Sequence, residues 1–202
     1  MSDKSAIEWT EATWNPITGC TRVSEGCTNC YAEQLAATRL ANHPAYEGIA
    51  RMTPGGPRWT GVVRFLPERL DQPIRWKRPR MIFVNSQSDL FHERLSYEQI
   101  AAIFGVMAAC PQHTFQVLTK RPKRMFEWFE WADQQTASWG KGYAFASIAS
   151  NTFASAAITQ RQWTAEPAQV WPLPNVWLGV SAEDQATADE RIPLLLQCPS
   201  FR

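Results

Sequence analysis

No stretch of about 18 consecutive apolar residues occurs in the chain, which leaves no candidate for a membrane-spanning helix. The opening MSDKSAIEWTEATW has neither a basic stretch nor an apolar core, so a secretory signal is not expected. Charge of one sign is also missing in excess: Lys plus Arg is 20 against 19 for Asp plus Glu. That balance excludes the global positive field of a dedicated nucleic-acid binder and makes any such contact local. A disulfide framework is lacking too. The five cysteines are an odd number, and three of them fall between Cys20 and Cys30, which suits a metal site in a reducing, cytoplasmic setting.

What is present is the composition of one folded domain. Apolar residues make up 45% and charged residues 19%, which sets disorder aside, and 202 residues can enclose a single core without requiring a second. We therefore read residues 1–202 as one domain. Basic residues gather locally in Arg64–Arg80 and again in Lys120, Arg121, Lys123 and Arg124, runs that commonly form solvated faces.

Along the chain, a helix is expected from near Thr28 through YAEQLAATRLAN until Asn42-His43-Pro44 ends it, which places Cys30 in its first turn. Met52-Thr53-Pro54-Gly55-Gly56-Pro57 reads as a plain loop, followed by a short strand at Gly61–Phe65. From Arg80 onward a rhythm sets in. Met81-Ile82-Phe83-Val84 is an apolar run of the kind buried on both faces of a parallel sheet. Ser96 with Gln99 announces a helix whose buried stripe is Ile100, Ile103, Phe104 and Met107. Thr114–Leu118 is the next strand, and Pro122 opens the next helix, with Met125, Trp128, Phe129 and Ala132 inward. Residues 134–170 carry few charges and read as an insertion with one helix near Phe153–Gln162. Asn175–Val180 is a further strand, followed by a helix through Ala188 and Glu190 and a separate short segment, Pro193–Gln197.

Strand, polar tip, helix, strand is the grammar of βαβ units, which bring every strand's C-terminal end to one rim. The tips here supply Asn85, Ser86 and Asp89, then Thr119, Lys120 and Arg121, then Ser181, Glu183 and Asp184. Some of these cap the helices that follow, and Ser181 is expected to do so.

The spacing C-x6-C-x2-C lets Cys20, Cys27 and Cys30 reach one metal or cluster, with Gly19 and Gly26 turning the backbone beside them. A nearby helix N-terminus would favour the thiolates of Cys27 and Cys30. Structural zinc is normally closed by four protein ligands, whereas a four-iron cluster held by three cysteines keeps one iron open. Zinc with His43 as fourth ligand is the rival, although His43 lies beyond the expected helix, roughly 18 Å from Cys30 at about 1.5 Å per residue. Cys110 and Cys198 each precede a proline at a helix end and read as small buried residues.

Trp14-Asn15-Pro16-Ile17-Thr18-Gly19-Cys20, Gly26-Cys27-Thr28-Asn29-Cys30-Tyr31-Ala32, Phe83-Val84-Asn85-Ser86, Asp89-Leu90-Phe91, Pro111-Gln112-His113-Thr114-Phe115, Leu118-Thr119-Lys120-Arg121 and Trp177-Leu178-Gly179-Val180-Ser181 together resemble the three-cysteine-motif phage protein family. That uncharacterised family is in turn similar to radical SAM enzymes. The resemblance implies an α/β fold, a partial (β/α) barrel with a parallel sheet and an N-terminal cysteine-cluster segment. It also implies S-adenosylmethionine bound through its amino and carboxylate groups to the fourth iron of a [4Fe–4S] cluster, with reductive cleavage to a 5′-deoxyadenosyl radical. Cys20, Cys27 and Cys30 are then the metal ligands; Asp89, Lys120 and Glu183 the catalytic candidates; Asn85, Ser86, Arg121 and Ser181 the cofactor contacts. The expected partners are a reductant protein and a nucleotide or nucleic-acid substrate. Two departures stand out: radical SAM enzymes usually carry C-x3-C-x2-C, and Gly55-Gly56-Pro57 lacks the acid of their Gly-Gly-Glu segment.

The alternative is a non-catalytic zinc module gripping nucleic acid through Arg64–Arg80 and its interleaved Phe65 and Trp76. Finally, Cys198-Pro199 repeats the helix ending of Cys110-Pro111, and only Ser200-Phe201-Arg202 follow. The chain is therefore expected to be cut short, with an unpaired sheet edge that promotes oligomers.

Overall fold

The computed structural model describes residue 5 and residues 7–134 and 171–199. The helix expected near Phe153–Gln162 lies outside them, as does the 134–170 insertion apart from Gln134.

Four parallel strands form the main sheet: β1 (Ala12–Trp14), β6 (Met81–Val84), β7 (Thr114–Thr119) and β8 (Val176–Val180), in the spatial order β1-β6-β7-β8. Register sets Ala12 beside Ile82, Ile82 beside Phe115, and Phe115 beside Val176. The order advances without reversal, so right-handed crossovers deliver their helices to the same face. Accordingly, α3 (Tyr97–Ala108) and α4 (Pro122–Gln134) share one core with Trp14, Ile82, Val84, Phe115, Val117 and Val176. Phe104 stacks on the fully buried Trp128 at 4.3 Å, and the Trp128 indole donates to the Tyr97 carbonyl at 3.1 Å. Each large side chain so buried contributes roughly 1.5–3 kcal/mol before entropy is counted. A last helix, α5 (Gln185–Gln197), packs on α4 and β8.

The opposite face of the sheet carries Thr13, Phe83, Gln116 and Trp177 in one row across the four strands. Trp9 covers its β6 end, 4.7 Å from Phe83, while Trp177 is 53% exposed. Among the described residues the sheet is open, with β1 and β8 at its edges, and no barrel closes.

Several local expectations meet a different structure. The first helix, α1, spans only Tyr31–Ala37, and Cys30 is its N-cap rather than part of its first turn. After Ala37 the chain turns so that Ala45, Tyr46 and Ile49 pack with Ala36 and Leu66 in a second small core, and burial of Tyr46 and Ile49 outweighs helical continuity. The expected plain loop is the turn of a hairpin, β3 (Ala50–Thr53) against β4 (Gly56–Trp59), with Gly56 at φ 93°. Both strands lack an apolar run because neither is buried on a face. Short β2 (Ile17–Thr18) pairs antiparallel with β5 (Arg64–Phe65), and α2 is a single turn at Gln72–Arg75.

Around α5, the N-cap is Asp184, not Ser181. Asp184 accepts from Thr187 N, and Thr187 Oγ1 accepts in return from Asp184 N, because Ser181 still belongs to the extended chain leaving β8. Pro193 does not divide this helix: it sits inside it, at the loss of one backbone donor. The Ser96–Gln99 capping box of α3 is present as expected.

Candidate functional site

The N-terminal segment reaches the rim through β1, whose last carbonyl, Trp14 O, accepts from Asn85 N at 2.8 Å. Asn15 Oδ1 then accepts from Ser86 Oγ (3.1 Å) and Gln87 N (3.2 Å), fixing the β6 tip to the turn after β1. At Gly19 (φ 89°) the backbone presses on the Val62 carbonyl so closely that any side chain would collide with it. Here only glycine fits, and it hands the chain to Cys20.

From Cys20 to Tyr31 the chain crosses the C-terminal ends of three strands in turn. Beyond β7, Arg121 donates to Cys20 Sγ at 3.6 Å and to the Thr21 carbonyl at 3.0 Å. Beyond β8, Glu183 accepts from Ser24 Oγ. At the β6 tip, the Ser86 carbonyl accepts from the Tyr31 hydroxyl. Gly26 passes so close to Glu183 that a β-carbon would displace that carboxylate.

All three cysteines of this crossing are free and half-buried. Cys20 follows Gly19, Cys27 ends a 3₁₀ turn (Glu25–Cys27), and Cys30 is extended at φ −67°, ψ 115° with no side-chain capping bond. Burial pushes the Cys20 thiol up to about 12, with Arg121 opposing and Asp89 adding. On the other side stands Arg22, whose charge is strengthened by its hydrogen bonds to Glu33 and, more weakly, by Cys27 and Cys30. Arg22 also donates to the Thr28 carbonyl at 3.2 Å, pinning the turn between those two cysteines. One guanidinium thus donates to Cys20, and the charge of a second is weakly supported by Cys27 and Cys30. Cys110 and Cys198 lie in the core, where burial pushes them up to about 12 and about 11.

Asp89 has four donors. Its Oδ1 accepts from Phe91 N (3.0 Å) and Thr119 Oγ1 (2.7 Å), and its Oδ2 from Lys120 N (3.1 Å) and Arg121 Nη1 (3.1 Å). Arg121, 6% exposed, commits all five of its N–H groups: Nε to Glu93 Oε1, Nη1 to Asp89 and Cys20, Nη2 to the carbonyl and hydroxyl of Thr21. Burial works against its charge, yet Asp89, Cys20 and Glu93 together hold it above the ordinary value. Buried His92 completes the cluster. Its Nδ1 accepts from Arg94 N, so Nε2–H donates to Thr21 Oγ1 at 3.0 Å; burial, then Arg121, push the imidazole down to about 4, leaving it neutral near pH 7.

Lys120 and Glu183 meet at 3.6 Å, and Arg191 donates to Glu183 Oε2 at 2.8 Å. Burial raises the Glu183 carboxyl, but Ser24, Arg191 and Lys120 together hold it below its ordinary value. Ser181 contributes backbone: its N donates to the Thr119 carbonyl at 3.0 Å, and its carbonyl accepts from Arg191. Ser86 uses its hydroxyl on Asn15.

Asn85 differs from all of these. It is a non-glycine residue in the left-handed region (φ 59°), 3% exposed, and neither its Oδ1 nor its Nδ2 has a hydrogen-bond partner. Buried unpaired polar atoms and left-handed backbone both cost stability, about 1–3 kcal/mol each. Asn85→Gly is therefore expected to stabilise the protein by about 1 kcal/mol, after allowing for glycine's greater freedom when unfolded. Urea unfolding of the metal-free protein measures this; a destabilised variant would mean the amide holds the fold together.

Sequence reasoning missed Arg22, Glu33, His92 and Glu93. Only Glu33 left a trace: it shares a helical face with Ala36 and Ala37, a carboxylate on a buried stripe. His43 sits in the turn after α1 with Nδ1 accepting from Ala45 N at 3.1 Å. Among the described residues no three His, Cys, Asp or Glu side chains are gathered around one metal-ion position. A single zinc needs four donors within about 2.0–2.3 Å of one point. A four-iron cluster takes each thiolate on a separate iron, and three free, half-buried thiols, one of them with Arg121 donating to its sulfur, are of the soft type it uses. In the basic stretch, Trp76 is core (8% exposed) under Arg80, Phe65 is a strand residue against the core, and Arg69 donates to the Asn15 carbonyl. Buried Trp76 therefore offers no open stacking face, and Phe65 is half-buried.

No helix among the described residues is long and apolar enough to cross a membrane. Comparison with curated proteins found no match, and comparison with solved structures found none. One family does match, over residues 4–201 and hence nearly the whole chain: it is described as "Protein of unknown function (DUF5131)", and the chain belongs to it.

Proposed function

We propose that this chain is a radical-SAM-like iron–sulfur protein of the cytoplasm, built on part of a (β/α) barrel, with Cys20, Cys27 and Cys30 as the ligands of a [4Fe–4S] cluster. The observation that carries the reading is the crossing of residues 20–31 over the C-terminal ends of β6, β7 and β8, fastened by Tyr31–Ser86, Thr21–Arg121 and Ser24–Glu183. Parallel α/β sheets keep their chemistry at this rim. When bound, the cluster would supply an electron and an open iron for S-adenosylmethionine, whose sulfonium is the bond to be cleaved.

The protein's own residues orient and enclose. Asn85 offers one donor and one acceptor at the β6 tip, unspent within the chain, and is the strongest candidate contact for the cofactor. Asp89 and Arg121 act as positioning residues for Cys20 and Thr21, since their hydrogen bonds are spent inside the protein. Lys120 and Glu183 remain the charged pair nearest the outer side of the rim, and they favour a polar substrate such as a nucleotide or nucleic acid. Ser86 serves through its carbonyl and its hydroxyl, and Ser181 through its backbone.

Adding S-adenosylmethionine to the anaerobically reduced protein is expected to change its EPR spectrum and to give 5′-deoxyadenosine slowly without substrate. An iron–sulfur spectrum unaltered at saturating cofactor would reduce the reading to an electron-transfer or structural cluster. Colourless protein with one zinc per chain would replace it by the zinc module.

A further inference from the structure

Among the described residues, Arg121 brings a charged hydrogen-bond donor to a cysteine sulfur, with Nη1 3.6 Å from Cys20 Sγ. Its place is over-determined. The backbone N of Arg121 donates to Thr119 Oγ1 at 2.9 Å, that hydroxyl donates to Asp89, and Asp89 in turn grips Nη1. Glu93 holds Nε at 2.9 Å, and Thr21, the neighbour of Cys20, takes both protons of Nη2. The group is fixed relative to both the thiol and the backbone that carries it.

A cation donating to a ligand sulfur stabilises the more negative, reduced state of an iron–sulfur centre and so raises its potential. Asp89 and Glu93 oppose that field, but unequally. The Asp89 side chain is 8% exposed, whereas that of Glu93 is 57% exposed, so water weakens its opposing field without removing it at this short range. We infer that Arg121 tunes the reduction potential of the cluster proposed for Cys20, Cys27 and Cys30, with Glu93 as an exposed counterweight. The inference rests on that reading of the cysteines and adds to it a residue whose role is electrostatic rather than ligating.

The test is an anaerobic redox titration, followed by EPR, of reconstituted wild-type protein and of the Arg121→Gln, Arg121→Lys and Glu93→Gln variants. Arg121→Gln should shift the midpoint to more negative potential. Arg121→Lys should shift it less, because the charge stays while the fork of donors is lost. Glu93→Gln should shift it the other way, because it removes a negative charge and leaves the guanidinium in place. Loaded clusters with one common midpoint across the set overturn the inference but leave the cysteine ligands standing. Where Arg121→Gln fails to fold, an unmoved midpoint in Glu93→Gln overturns it just as well. A wild-type protein that takes up no iron–sulfur cluster overturns both.

Discussion

Replacing any one of Cys20, Cys27 or Cys30 by Ala should bring iron from about four per chain after anaerobic reconstitution to near zero, whereas Cys110→Ala and Cys198→Ala should retain it. The asymmetry comes from where the thiols stand. The first three are half-buried along one segment, where Arg121 donates to Cys20. Cys110 and Cys198 are enclosed in the main core beneath the sheet, away from that segment. A core thiol in apolar surroundings is a poor ligand. Removing Cys110 should show instead in unfolding, as a small cavity. Iron, sulfide and the visible spectrum together make the comparison, and equal loss of iron in Cys110→Ala and Cys27→Ala would mean the ligands are misassigned.

Arg22→Ala is expected to destabilise the protein by about 3–5 kcal/mol, because it strands a carboxylate with 1% exposure. Glu33 accepts from Arg22 Nε at 3.0 Å, from Arg22 Nη2, and from Trp59 N at 2.6 Å. The milder Glu33→Gln keeps an acceptor for Trp59 and leaves an arginine that is already a quarter exposed, so about 1–2 kcal/mol is expected. The double variant Arg22→Met with Glu33→Leu should recover much of the loss, since a buried ion pair often contributes little beyond its own desolvation. Urea unfolding of the three variants beside the wild type makes the comparison. Arg22→Ala should also lower cluster incorporation, since Arg22 holds the Thr28 carbonyl between Cys27 and Cys30. A fully stable Arg22→Ala protein would show that Glu33 finds water instead.

The parts of this fold that were readable from sequence are those set by neighbours along the chain. Met81–Val84 is apolar without alternation because Ile82 and Val84 face the helices while Phe83 meets Trp9. Ser96 and Gln99 close a capping box over three residues, and Pro122 needs no donor at the first helical position. What went unread depends on distant partners. The helix after Cys30 stops at Ala37 because Tyr46 and Ile49 are drawn into a core with Leu66. Ser181 resembles a cap, but its neighbour three residues on reaches Thr187 first. The cysteine spacing and the polar strand tips were visible, whereas Arg22, Glu33 and the five-fold commitment of Arg121 become evident only when remote segments meet.

The crossing over the strand ends also orders events in time. Its three fastenings join residues 55, 100 and 159 positions apart, and β1 itself waits for β6. Contacts between such remote segments form late, after the loop-closure entropy of the intervening chain has been overcome. The cysteine segment therefore takes its final course only once β6, β7 and β8 are paired. Iron offered to the nascent chain meets three thiols on a mobile strand of peptide; iron offered to the folded chain meets them already laid across the rim. On the cluster reading proposed above, insertion is expected to follow assembly of the sheet rather than to nucleate it.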